Sequence, residues 1–322
     1  MLKIGVVGAG HLGKIHIKIL KNVDFVELIG FYDIDEDVSS QVENEIKIKS
    51  YASLNDLIEH CDVLDIVTPT INHYETAQTA LKKSKHVFIE KPVTHTLKEV
   101  RELIKLSEEA GVKAQVGHVE RFNPAYSNAK KHISKPKFIE THRLATFNPR
   151  GTDVSVVLDL MIHDLDILLN VVQQPIQNIH ASGVSIISES ADIANARIEF
   201  MDGCVANITA SRMSLKSMRK SRFFQKNAYI SIDFLKKKYE YISMEDAKEA
   251  DSFLPIIDLG EKGKKQIKIQ NESPAEVNAI EEELKSFIHC IKNDLEPEVS
   301  LHSAQQCLKL ALDIEEKISN TI

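Results

Sequence analysis

Short apolar runs alternate with helix-periodic stretches along the first third of the chain. The runs cover 2–7, 25–32, 62–67, 85–89 and 113–117, and the stretches lie near 12–22, 36–44, 53–60, 71–83 and 96–110. Runs of this length suit buried strands and are too short for helices. Strands alternating with helices build a parallel sheet covered on both faces. The stretch 96–110 carries the fullest helical signals: Thr96 and Glu99 as a capping box, Leu97, Val100 and Ile104 as an apolar stripe, and Gly111 as an end. Beyond His118 the pattern changes. Residues 119–132 read as a linker and a helix, and strand-like alternation then dominates at 137–146, 178–187, 192–200, 204–211, 228–234 and 238–243. Few helices intervene, so this half holds an antiparallel or mixed sheet. The fold class is therefore α/β in two domains. A doubly wound parallel sheet fills 1–118, and an α+β domain with a large mixed or antiparallel open sheet fills 119–322. Two helices close the chain. One is N-capped at Ser273-Pro274-Ala275-Glu276 and striped by Val277, Ile280, Leu284, Phe287 and Ile291; the other lies near 302–319. Both can pack back across the domain boundary.

One helical stretch, Val154 to Val172, interrupts the strands of the second half. It is apolar almost all round, which predicts burial. Asp159, His163 and Asp166 nevertheless fall at i, i+4 and i+7, on one face. Ionisable groups on a buried helix are costly unless paired or used. Three readings stand: a satisfied structural network, a metal site, or a general acid/base pair in which a carboxylate orients a proton-accepting histidine. The last is preferred, with no metal.

The first strand runs into Gly8, Gly10 and Gly13, a G-x-G-x-x-G, and helical spacing follows at Leu12, Ile15 and Ile19. The glycines thus sit at a strand-to-helix turn. They permit a tight bend, close approach of a pyrophosphate, and close packing of helix on strand. The first helical N–H groups, at His11, Leu12 and Gly13, face the anion. Asp33 ends the second strand twenty residues after Gly13, where a Rossmann dinucleotide fold places the acid for the adenosine ribose. Its carboxylate would repel a 2′-phosphate, so NAD is favoured over NADP. Ligands of such sheets bind beyond the carboxyl ends of the strands. Thr68 and His73 follow the strand at 62–67, and Glu90, Lys91 and Pro92 follow that at 85–89. Pro92 holds Lys91 extended. The alternatives are a solvated His73 and an ordinary surface Lys91.

Composition changes little in this reading. Hydrophobic residues make up 43% and charged residues 27% of the 322, which fits an ordinary globular protein. A formal net charge of −7 makes nucleic acid or an anionic membrane an unnatural partner. No apolar run approaches a membrane span, and the N-terminus enters a strand at once, with no signal peptide. Cys61, Cys204, Cys290 and Cys307 are scattered, which suits a reducing cytoplasm. Arg212, Lys216, Arg219, Lys220 and Arg222 cluster in one segment. It reads as a solvated loop or as a clamp for a substrate diphosphate.

The segments GAGHLG, TPTINH, EKP and DLMIH, in that order, resemble the Gfo/Idh/MocA oxidoreductases over nearly the whole chain. The resemblance implies that Lys91 is the catalytic lysine, after a cis Lys91–Pro92 bond, and that Asp159 and His163 are the acid/base pair. It implies a nicotinamide-dependent dehydrogenase acting on a sugar or nucleotide-sugar alcohol, and association into homodimers or homotetramers through the open face of the C-terminal sheet. Within the family, VGHVERFNPA is similar to the branch that oxidises the 3-hydroxyl of UDP-N-acetylglucosamine. Other members act on inositols, glucose, glucose–fructose pairs or biliverdin. Met161 departs from the glycine often found two residues after the aspartate. Substrate contacts are expected from Lys91, Arg121, Asn123, His163 and Asp166, with capping and packing as the alternative for Arg121 and Asn123. A non-catalytic cofactor-binding regulator is the remaining rival.

Overall fold

The structure is a computed structural model and describes residues 1–147, 154–247, 255–258 and 260–320. Two compact units emerge, one of Met1–Val119 with Asn278–Lys309, the other of Glu120–Val277 with Leu310–Ile322.

The first unit follows the alternation. Strands β1 (Leu2–Val7), β2 (Val26–Tyr32), β3 (Val63–Ile66), β4 (His86–Glu90) and β5 (Ala114–Gly117) form a parallel sheet in the order β2-β1-β3-β4-β5. Helices α1 (His11–Leu20), α2 (Glu36–Ile46), α3 (Leu54–His60), α4 (His73–Lys82) and α5 (Leu97–Ala110) connect them. The order reverses at β1 and β3, so the loops after these two strands flank a switch-point crevice. Ile4, Val6, Ile17, Leu20, Phe31, Val63 and Phe88 form much of the core under α1.

That core is completed from far along the sequence, by Leu284, Phe287 and Ile288. They lie on a helix spanning Ala279–Asn293, which starts later than its sequence signals suggest. Asn278, not Ser273, is the cap: its side chain accepts the Ile280 N–H at 3.1 Å. The strand before it stays extended through Glu272, and the Val277 carbonyl is taken by Lys237 Nζ at 3.0 Å. Tertiary partners here override a good local capping pattern.

The second unit begins with α6 (Pro124–Ala129) and β6 (Phe138–Leu144). A π-helical turn, Val157–Met161, then runs into α7 (Ile162–Val171). The remaining strands are β7 (Ile176–Val184), β8 (Ile193–Phe200), β9 (Val205–Ser211), β10 (Met218–Gln225), β11 (Ala228–Asp233), β12 (Lys238–Asp246), β13 (Ile256–Asp258) and β14 (Lys264–Glu272). Among the described residues they form one sheet, ordered β13-β14-β12-β11-β10-β6-β9-β8-β7. Only β6 and β9 pair in parallel there, so the sheet is mixed, as the alternation implies. The late helix Ala279–Asn293 is α8, and α9 spans Leu301–Ser319.

The second half of the basic segment, with Arg219, Lys220 and Arg222, is strand β10 rather than loop, which corrects the sequence reading there; Arg212 and Lys216 precede the strand. In β10, Ser221 and Phe223 are buried while Lys220 and Arg222 point the other way. Arg222 pairs with Glu140 across β6 at 2.8 Å, and Lys220 with Asp233 across β11 at 3.5 Å. Cross-strand acids neutralise the cations and let a charged run join the sheet. Alanines 194, 196, 206 and 210 on the inner face are fully buried and leave room for the π-helical turn on β9. On the outer face, register aligns Ile269, Ile242, Tyr229, Phe224, Phe138 and Val205 in one apolar row across six strands.

Candidate active site

The glycine turn of the first unit is shaped for an anion. Gly8 has φ +93°, and a Cβ there would lie 2.7 Å from the Val67 carbonyl oxygen; a Cβ at Gly13 would lie 2.0 Å from that of Gly8. Both glycines are therefore demanded by the backbone itself. Gly10 differs, because nothing lies within 4 Å of its Cβ position. It leaves an open cradle at the start of α1. Asp35, Ser53 and Thr96 cap α2, α3 and α5, but α1 has no side-chain cap and no acid in its first turn. Its first N–H groups, from His11 onward, are thus left for a ligand. His11 is exposed and Leu12 half-buried. Asp33 Oδ2 accepts the Ala9 N–H at 2.6 Å, and Oδ1 accepts that of Asp35 at 3.0 Å. Each oxygen keeps a lone pair for a ribose hydroxyl.

Beyond β3 and β4 the loops are braced together. His73 is buried, with Nε2 2.8 Å from the Thr68 carbonyl and Nδ1 3.0 Å from that of Pro92. Burial pushes its pKa down, opposed by the two carbonyls. Neither the solvated reading nor direct cofactor contact through a ring nitrogen describes this residue; it fixes the positions of Thr68 and the Lys91–Pro92 turn. Thr68 Oγ1 is buried with no hydrogen-bond partner among the described residues. With the open cradle at Gly10 and the uncapped helix, this orphaned hydroxyl suits a dinucleotide bearing phosphates and hydroxyls. The Lys91–Pro92 bond is cis, and Lys91 is half-buried. Glu90 does not face outward as a free carboxylate. Its Oε2 accepts the Lys91 N–H at 3.1 Å, and Oε1 lies 3.4 Å from His16 Nε2.

In the second unit, Asp159 stands in the π-helical turn and His163 in the first turn of α7, both half-buried. The predicted helix is thus wound in two ways, and π-turns of this kind recur at functional sites. Two buried arginine forks hold α7 on either side of His163. Arg143 donates to Asp164 at 2.8 and 3.2 Å and to Glu120 at 2.9 Å. Arg121 donates to both oxygens of Asp166 at 2.7 Å. Burial would lower the Arg143 pKa, but the Asp164 and Glu120 carboxylates outweigh it and raise it. Bidentate pairs of this kind fix direction as well as energy.

The expected substrate contacts separate accordingly. Asp166 and Arg121 are joined to each other. Asn123 caps α6 by accepting the Ala125 N–H at 3.1 Å, and it donates to Glu120 and to the Phe234 carbonyl at 3.1 Å each. Arg212 is buried and donates to the Val154 carbonyl at 2.6 Å, so the basic segment does not present five solvated cations. Sequence reasoning passed over Glu120, Arg143, Asp164, His16 and Asp65. Asp65 was the readable one, a carboxylate in the middle of the apolar run 62–67.

Residues 2–118 match the family model described as an oxidoreductase family with an NAD-binding Rossmann fold, and residues 115–225 match the GFO/IDH/MocA C-terminal domain. A UDP-N-acetylglucosamine 3-dehydrogenase from Acidithiobacillus ferrooxidans is 34% identical over 235 residues, 73% of this chain and 74% of that one. A myo-inositol 2-dehydrogenase from Thermotoga maritima is 26% identical over 232 residues, 66% of this chain and 70% of that one. A solved structure of the Acidithiobacillus enzyme superposes with a TM-score of 0.89 at 28% identity, over 99% of this chain and 98% of that one. A scyllo-inositol dehydrogenase from Lactobacillus casei, solved with NAD(H) and scyllo-inositol, shares the fold with a TM-score of 0.79 at 20% identity, over 100% of this chain and 98% of that one. Among the described residues no helix is long and apolar enough to cross a membrane.

Proposed function

This chain belongs to the Gfo/Idh/MocA oxidoreductases, and from that premise we propose that it is an NAD-dependent dehydrogenase of a nucleotide sugar, oxidising the 3-hydroxyl of UDP-N-acetylglucosamine. The likeness to the Acidithiobacillus enzyme over 73% of the chain carries this choice of substrate. Lys91 at the end of β4 and the Asp159–His163 pair at the start of α7 support the chemistry.

The glycine turn and the N-terminus of α1 hold the pyrophosphate, Asp33 the adenosine ribose, and Thr68 a cofactor hydroxyl or amide. NAD, when bound, supplies the acceptor for the hydride. His163 takes the proton of the sugar hydroxyl. Asp159 orients the imidazole and favours its protonated form. Lys91 donates a hydrogen bond to the same oxygen and stabilises the charge that develops on it. Arg121 and Asp166 act through α7 as positioning residues, and Asn123 through α6. Asp33 favours NAD over NADP by repelling a 2′-phosphate. The protein works in the cytoplasm as a homodimer or homotetramer joined through the apolar row of its sheet.

The test is a panel of nucleotide sugars, glucose and inositols with NAD⁺, followed by absorbance of the reduced cofactor. UDP-N-acetylglucosamine is expected to give the highest kcat/KM. Turnover of inositols alone would overturn the substrate and leave the family standing. Lys91→Ala should lower kcat by about 10²–10⁴-fold with the melting temperature retained; full turnover in that variant would point to a regulator instead.

A further inference from the structure

His16 lies one helical turn past the glycine turn, on the face of α1 that packs on the sheet, and it is fully buried. An imidazole there needs a reason. Its Nδ1 is 2.9 Å from Asp65 Oδ2, in the middle of β3, and its Nε2 is 3.4 Å from Glu90 Oε1, at the end of β4. Asp65 is as buried as the histidine. The Phe88 ring closes the space at 5.9 Å and in turn meets Phe287 of α8 at 6.0 Å. Two carboxylates therefore share one imidazole in a site walled by aromatic rings.

The far end of this chain of charges is the Lys91 turn. Glu90 uses its other oxygen to accept the Lys91 N–H at 3.1 Å. The sheet makes room for that carboxylate: a Cβ on Gly117 of β5 would fall 2.8 Å from Glu90 Oε1. A side chain half-buried in a cramped slot beside a glycine is held, not swinging. A second carboxylate beside Asp65 calls for a cation between them or a proton on one of the two, and the imidazole stands where that cation would be.

We propose that His16 is a positioning residue: an imidazolium clamped between Asp65 and Glu90 that holds Glu90 against the Lys91 backbone and so fixes the origin of the Lys91 side chain. The proposal rests on the role given to Lys91 above. The charged and titratable groups facing the ring are Asp65 from β3 and Glu90 from β4; Glu90 also feels Lys91 beside it and His73 from α4. Burial pushes the His16 pKa down, but attraction to Asp65, the 2.9 Å hydrogen bond to it and the nearby Glu90 carboxylate raise it to about 10. Burial likewise opposes ionisation of Glu90, yet the His16 cation and Lys91 hold its pKa below the usual carboxylate value. Both directions favour the charged form of these two groups; burial pushes the Asp65 pKa up, and the His16 cation beside it pulls the other way. The clamp also starts on the helix whose N-terminus meets the cofactor phosphates, so one element serves both the cofactor and the lysine.

Two measurements decide it. Nitrogen NMR of histidine-labelled protein should show one ring protonated on both nitrogens from pH 6 to beyond pH 8, about two units past an ordinary histidine. That signal should vanish in His16→Gln and titrate at lower pH in Glu90→Gln. Kinetically, His16→Gln should lower kcat by about 10–100-fold with little change in KM for NAD⁺, and should shift the acid limb of the pH profile upward, because Glu90 loses the cation that favours its charged form. Removing the surplus carboxylate as well, in His16→Gln/Glu90→Gln, should restore roughly ten-fold of that loss, a coupling that a merely loosened core would not give. A ring that titrates near its ordinary value in the native protein, or a His16→Gln enzyme with the native pH profile, overturns the proposal. The NMR measurement on the native protein needs neither substrate nor variant stability. A native protein that turns over no sugar therefore removes the function proposed above and leaves the clamp to be decided by the ring titration.

Discussion

Asp33 serves two masters with one carboxylate. The 2.6 Å hydrogen bond from Ala9 ties the end of β2 to the glycine turn, and in the proposed function the remaining lone pairs accept from a ribose. Replacing it should therefore loosen the turn and, if the proposed NAD selectivity holds, remove the charge that repels a 2′-phosphate. In Asp33→Ala, KM for NAD⁺ should rise about ten-fold, and the NAD⁺ preference in kcat/KM should fall by a similar factor. Initial rates with both cofactors check this; an unchanged ratio would place the selectivity elsewhere. Asp33 was legible because its spacing from three glycines is set by the strand and helix between them. His16 and Asp65 were not legible, because a polar residue in an apolar run has no visible partner until the sheet brings β3 and α1 together. The same holds for Arg143 and Asp164, twenty-one residues apart and joined only across the β6–α7 packing.

Among the elements, the turn from β1 into α1 separates two kinds of glycine. Gly13 is required by its own backbone, since a Cβ would stand 2.0 Å from the Gly8 carbonyl oxygen, whereas Gly10 clears every atom by 4 Å. Gly10→Ala should then fold with a melting temperature close to native and bind NADH at least about ten-fold more weakly, its methyl standing in the pyrophosphate cradle. Gly13→Ala should lose about 2 kcal/mol or more of stability whatever the ligand. Thermal melts alongside NADH fluorescence titrations separate the two. If Gly10→Ala binds NADH normally, the cradle is not where phosphates sit. The helices of this unit were legible because they show an apolar face, and α2, α3 and α5 also a cap. Strand β10 was not, since lysines and arginines masked its period of two, and their acids sit on neighbouring strands far away in sequence. The π-helical turn before α7 was hidden too: a wheel drawn at one fixed period cannot show a change of winding, and the Arg121 fork draws Asp166 out of the polar stripe that the wheel suggested.

At the scale of the whole molecule, sequence order misleads about which segments belong together. A boundary at residue 118 leaves Asn278–Lys309 with the second domain, yet that segment builds the first unit through Leu284, Phe287 and Ile288. Its apolar stripe and the option of packing back across the boundary were visible; the residues it meets, Ile17, Leu20 and Phe88 among them, were not. The same limit applies to surfaces. Each residue of the row Ile269, Ile242, Tyr229, Phe224, Phe138 and Val205 comes from a different strand, so only register reveals a continuous band. The rings of Phe138, Phe224 and Tyr229 lie 5.8 and 5.0 Å apart in succession, while Phe224 stays 38% and Ile269 54% exposed. Six strands at about 4.8 Å spacing make a band of roughly 24 Å. Monomers seldom leave so long an apolar band in water. Beside it runs a row in which Arg222 pairs with Glu140, so the face offers a second copy both an apolar centre and charges already neutralised. If this face joins copies, sedimentation of the native protein should show a dimer or tetramer at micromolar concentration. Phe224→Arg should shift it toward monomer, because a guanidinium would be desolvated in the middle of the band. Since Phe224 is already partly exposed, that variant should keep its fold and its far-UV signature. A native protein that sediments as a monomer, or a Phe224→Arg protein that stays associated, would show that the band faces water or that copies meet on another surface.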